Sequence, residues 1–136
     1  MKQKHIKDKN GVVLATLISE GSWDEGLSFY TNDENFIQVG TWGYQKGKEL
    51  KSHKHNRFVR ESNITQEVIY IKKGKLLAKL FSEEDNILVE EIILVTGDTL
   101  ILFFGGHGYT VLEDNTQVLE VKNGPYFGVE KDKTLI

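Results

Sequence analysis

The sequence predicts a single all-β domain, a sandwich or a barrel, and three observations carry that expectation. Short apolar or alternating runs, bounded by Gly, Asn, Asp and Ser, recur at intervals of roughly 8 to 12 residues through most of the chain. No segment shows the 3.6-residue apolar period of an amphipathic helix over about ten residues or more. The single proline, Pro125, follows the last run instead of interrupting one.

The runs are Val12 to Ile18, Leu27 to Tyr30, Phe36 to Tyr44, Gln66 to Lys72, Lys75 to Phe81, Ile87 to Val95, Thr99 to Phe104, Tyr109 to Leu112 and Gln117 to Val121. Between the later ones lie Lys73-Gly74, Glu84-Asp85-Asn86, Thr96-Gly97-Asp98 and Glu113-Asp114-Asn115, each short and polar enough to turn an antiparallel pair. Side chains two apart in a strand share a face. In Lys75 to Phe81 this puts Leu76, Ala78 and Leu80 on an apolar side, with Lys75 and Lys79 on a wet one. In Thr99 to Phe104 both faces are apolar, which predicts cover on both sides, by the interior and by a second sheet or a partner subunit. The polar residues 1–10 read as a loose tail, with His5 solvated. Trp23 and Trp42 read as core or dimer contacts, and Glu120 and Lys122 as solvent-facing neighbours on the last strand.

Composition narrows the function classes. A chain of 136 residues and 15.5 kDa suits one domain, 1–136, with one core. A net charge of −3 leaves no basic surplus for a phosphate backbone, so nucleic acid is not an expected partner. The absence of cysteine excludes disulfides, thiolate ligands and cysteine nucleophiles. The basic N-terminus ahead of Val12 to Ile18 imitates a signal peptide poorly, because the apolar run is short and no small-x-small cleavage site follows. No apolar run approaches the ~18 to 20 residues that span a bilayer. The expectation is a cytoplasmic protein without a membrane partner.

Four residues stand out for chemistry. If His53-Lys54-His55 is strand, both imidazoles lie on one face, close enough for one ion to bind both; a surface pair is the plainer alternative. Glu67 shares a face with Ile69 and Ile71, and a carboxylate among aliphatic side chains calls for a cation, an arginine or a solvated strand mouth. His107 sits among glycines in Phe104-Gly105-Gly106-His107-Gly108-Tyr109, which suit either a turn aiming the imidazole into a cavity or a flexible loop tip.

These residues carry a resemblance to the cupin family. Gly47, five residues, His53-Lys54-His55, then Glu67 followed after six residues by Gly74 resembles the first cupin motif. Gly97-Asp98 through Gly105-Gly106-His107 resembles the second, so the motifs span residues 47 to 107. The chain departs from the pattern in three places. Eleven residues, Asn56 to Gln66, separate His55 from Glu67, more than the family's usual spacing; Phe103 stands at the usual proline; and one residue is missing before His107.

The resemblance implies a jelly-roll-like barrel (a double-stranded β-helix), one metal held by His53, His55, Glu67 and His107, and a homodimer. Three imidazoles and a carboxylate suit divalent Fe, Mn, Ni, Cu or Zn, with open positions for a small oxygen-rich ligand such as a sugar or carboxylate, in dioxygenase or isomerase chemistry. Arg57 and Arg60 are candidates to grip an acidic substrate, with a surface pairing to Glu61 as the alternative. Tyr109 is the candidate catalytic acid. Two other functions fit the same residues: a non-catalytic small-ligand module, and a metal-free sugar epimerase or ketoisomerase with His53 or His107 as base.

Overall fold

The computed structural model describes residues 3–136. It is all-β: β1 (Lys4–Lys7), β2 (Val13–Ile18), β3 (Gly26–Phe29), β4 (Gly40–Gly43), β5 (Glu67–Lys73), β6 (Lys75–Phe81), β7 (Leu88–Val95), β8 (Thr99–Leu102), β9 (Gly106–Val111) and β10 (Gln117–Lys122), with one short helix, α1 (Val129–Asp132). The strands form three antiparallel sheets, ordered β1-β2-β8-β5-β10, β3-β4 and β7-β6-β9, and not one continuous hydrogen-bonded ring.

Three long bent strands explain this architecture. Residues 67–81 form the middle one; β7 and β8 pair along one side of it, β9 and β10 along the other. All three bend at the same level, at Gly74, at Thr96-Gly97-Asp98 and at residues 112–116, so each crosses from the large sheet to the small one. Of the four turns expected to close antiparallel pairs, only Glu84-Asp85-Asn86 does so, joining β6 to β7. The other three are corners between layers. A corner needs residues that bend and neighbours that nest. Gly74 has φ +97°, and a Cβ there would collide with Thr116, which packs at the adjacent corner.

Asp98 fastens the corner. Its carboxylate accepts hydrogen bonds from the Val95 amide (2.9 Å) and the Glu20 amide (3.0 Å), and the residue is 6% exposed. Asp98→Ala leaves both amides without that acceptor and is expected to cost about 1–3 kcal/mol, read as a lower denaturant midpoint with an unchanged slope.

Between the layers lies the main core, which includes Ile69, Ile71, Leu76, Ala78, Leu80, Leu94, Leu100 and Leu102. The apolar faces expected for β6 and β8 are both present, and all four β8 residues are buried. The outer face of the large sheet carries a second cluster of Ile18, Ile101 and Phe103, covered by Tyr30, Ile37 and Val39 of the same chain. The N-terminal residues depart from the loose-tail expectation. Ile6 is 1% exposed, β1 pairs with β2, and His5 Nδ1 lies 2.8 Å from Thr16 Oγ1. A single buried isoleucine and an edge to pair with suffice to order a polar segment. Residues 1–2 of that tail lie outside the described residues. Trp23 and Trp42, expected as core or dimer contacts, are 54% and 58% exposed, so neither is in the core of this chain.

Among the described residues, no helix is long and apolar enough to cross a membrane.

Acid sensitivity follows from the surface of the β6–β7 turn. Asp85 is held at about 2 by its hydrogen bonds to Lys9 Nζ (2.7 Å) and Ser82 and by the Lys9 charge. A carboxyl lowered on folding contributes stability above its unfolded value and loses it as pH falls through the folded one. The thermal midpoint is therefore expected to fall between roughly pH 4 and 2, and Asp85→Asn to shrink that fall.

Candidate site at the mouth of the two layers

Strand alternation places Glu67, Ile69 and Ile71 on the inner face of β5, and their exposures of 7%, 1% and 0% agree with that placement. Glu67 is the last of the three before the mouth. On the facing layer, His107 and Tyr109 pair with Leu80 and Ala78 of β6 and share their inward face. His107 thus lies in a strand, not at a loop tip. The glycine before it still matters: Gly105 has φ +79°, and a Cβ there would strike the Phe81 carbonyl, so close contact with β6 sets the start of β9.

His107 Nε2 and Glu67 Oε1 meet at 3.1 Å, and Oε1 is buried without a hydrogen-bond partner among the described residues. Burial pushes the Glu67 carboxyl upward, but contact with His107, the Lys122 charge and a contact with Glu120 outweigh it, leaving the group below its ordinary value. The Tyr109 ring centroid lies 5.3 Å from that of His107. Burial, then the charges of Glu67 and Glu120, push the Tyr109 phenol above the usual range. It therefore remains a neutral hydroxyl, able to donate a hydrogen bond, across the range in which proteins work.

Glu120 and Lys122 were expected as solvent-facing neighbours, and Glu120 is exposed. The β10–β5 register sets Lys122 opposite Glu67 and Glu120 opposite Ile69, so both side chains share the inner face at the mouth, although Glu120 remains exposed. The signal lay in the pairing of β10 with β5, which alternation within one strand does not reveal. The C-terminal segment forms a further wall. Lys122 Nζ lies 3.7 Å from Asp132, Ile136 packs at Gly106, and residues 131–136 line the cleft with Phe81, Phe104 and His107. The cleft holds about 830 Å³.

His53 and His55 lie elsewhere. The H-x-H is not strand: residues 44–66 carry no strand at all, and their sequence, unlike the true strands, has no alternating apolar face. The two rings still meet, 5.2 Å apart and edge to face. His53 faces a separate apolar groove with Leu27, Phe29, Trp42 and Tyr44. Arg57 and Arg60 are exposed on the same segment, and Arg60 stacks over Phe58 at 3.7 Å from the ring centroid.

The four residues expected to hold a metal therefore divide into two pairs, Glu67 with His107 and His53 with His55. Among the described residues no group of three or more His, Cys, Asp or Glu is placed to hold a metal ion. One chain does not assemble that ligand set.

No family model, curated protein or solved structure matches this chain.

Proposed function

We propose that the cleft binds a small oxygen-rich molecule, such as a sugar or a carboxylate, and that His107, held by Glu67 and flanked by Tyr109, exchanges protons with it. The observation that supports this most is the contact of the buried Glu67 carboxylate with His107 at 3.1 Å on the wall of an open cleft. A carboxylate at Nε2 favours the tautomer with its proton on that nitrogen, leaving Nδ1 to take a proton from the ligand. The neutral Tyr109 hydroxyl is the complementary donor to a carbonyl or hydroxyl oxygen. Phe81 and Phe104 add an apolar wall to the cleft beside these groups. This corresponds to epimerase or ketoisomerase chemistry, in which a proton leaves the carbon beside a carbonyl and returns to the same or the neighbouring carbon.

A second reading, a metal centre of His53, His55, Glu67 and His107 as the cupin resemblance implies, has one observation in its favour. Glu67 Oε1 is buried, and its 3.1 Å contact with His107 Nε2 lacks the alignment of a hydrogen bond, as expected of a carboxylate oxygen with room for a cation.

The test is proton exchange. The protein is incubated in deuterated water with a panel of aldoses, ketoses and hydroxycarboxylates, and loss of the C–H signal is followed by NMR, with metal content measured on the same preparation. Exchange in a metal-free preparation supports the first reading. Exchange that requires a stoichiometric metal removed by chelator supports the second, and binding without exchange would make the cleft a ligand module.

A further inference from the structure

The chain beyond β10 leaves the sheet from a fixed point. Asn123 Oδ1 accepts from the Gln66 amide (2.8 Å), and Asn123 Nδ2 donates to the Ile64 carbonyl (3.1 Å). From there residues 124–136 run along the mouth, and all of them but Gly128 and Asp132 are exposed. Helix α1 buries none of its residues, and the Asp132 and Lys133 amides bond back within the segment, to the Gly128 and Val129 carbonyls. Phe127 and Leu135 line the cleft, yet they stand 73% and 96% exposed.

Two contacts seat this segment. Asp132, with a side chain 17% exposed, lies 3.7 Å from Lys122 Nζ, and Ile136 packs at Gly106, the residue before His107. Between Asn123 and these contacts lie two uncrowded glycines. A Cβ at Gly128, where φ is +102°, would meet nothing within 4 Å, and one at Gly124 nothing closer than the Tyr126 amide nitrogen at 3.9 Å. Residues 131–136 nonetheless form one wall of the cleft that holds Glu67 and His107. A wall held by one ion pair and one aliphatic contact, beyond glycines free to turn, belongs to the low-stability end of a structure, where elements open without global unfolding.

We propose that residues 124–136 are a hinged lid on the mouth, latched by Asp132 on Lys122 and seated by Ile136 on Gly106, which swings away to admit the ligand and closes over it. Its purpose rests on the ligand reading above; its motion rests on the contacts alone. Closure removes water from around His107 and Tyr109, so that a proton taken from the ligand returns to it instead of escaping to solvent. Closure also draws the uncovered Phe127 and Leu135 into the cleft they already line.

The test places a nitroxide on the lid. Because the chain lacks cysteine, Leu135→Cys gives a single attachment point at an exposed position. Paramagnetic relaxation of the Gly106, His107 and Gly108 amides is measured in this protein and in the same protein with Asp132→Asn and Ile136→Ala, with thermal midpoints taken on both. The expected result is strong broadening at these amides that falls about 2-fold or more in the latch variant, at an unchanged midpoint. Broadening that stays the same, or a midpoint that falls by several degrees, would make the segment a fixed part of the wall and overturn the lid. A second arm adds the panel of sugars and hydroxycarboxylates. A compound bound at the mouth is expected to slow amide hydrogen exchange of residues 129–136 by about 10-fold or more. Binding at the mouth without that slowing overturns closure. Failure of every compound to bind there counts against the ligand reading instead, and the relaxation result then decides the lid by itself.

Discussion

Replacing His107 by glutamine is expected to lower the rate of ligand proton exchange by at least about 100-fold while the fold persists. General acid–base groups contribute factors of roughly 10² to 10⁴, and glutamine keeps a polar side chain without an imidazole to carry the proton. His107 is near the mouth, with a side chain 30% exposed, so the substitution leaves no sealed cavity. In the proton-transfer reading Glu67 acts through His107, as a positioning residue. Glu67→Gln keeps its shape but removes the charge that holds the imidazole, so it is expected to displace the pH profile of exchange as well as its rate. A merely structural role would leave that profile in place. Exchange that survives His107→Gln unchanged would contradict the proton-transfer reading.

Leu100→Ala is expected to be the most damaging single substitution to stability. Leu100 is fully buried in β8, the strand that pairs with β2 on one side and β5 on the other, and its side chain lies in the core between the layers. Removing a buried isobutyl group costs the lost transfer energy and leaves a cavity, together about 2–5 kcal/mol. For a domain of this size the melting temperature should fall by roughly 10 °C or more. Calorimetry checks this directly. A fall of only a degree or two would mean that β8 is not the centre of the sheet.

How far the sequence exposed this architecture depended on distance along the chain. The faces of β5, β6 and β8 were readable because alternation is local: Ile69 and Ile71 against Val68 and Tyr70, or Leu76, Ala78 and Leu80 against the lysines between them. Glu67 was readable for the same reason. The corners were not. Lys73-Gly74 looks like a hairpin turn, but whether a strand reverses or bends across to another layer is decided by partners far away, here Thr96 and Thr116, whose hydroxyls accept from the Gly74 and Lys75 amides at 3.0 and 3.2 Å. The place of Lys122 beside Glu67 was hidden for a related reason, since its facing residue comes from β5, about fifty positions earlier. His53 and His55 show the reverse failure. Alternate spacing says two side chains share a face only if the backbone is strand, and nothing in residues 51–60 supplies the apolar side that would make it one.

The central claim is that the mouth formed by Glu67, His107 and Tyr109 is where this protein meets its ligand. Amide chemical-shift mapping of the ¹⁵N-labelled protein during titration with the sugar and hydroxycarboxylate panel tests it most directly. Saturable shifts concentrated on residues 67, 107–109 and 120–122, and reduced by His107→Gln, are the expected result. Shifts confined instead to Leu27, Phe29, Trp42 and His53 would contradict it and move the binding site to the outer hairpin.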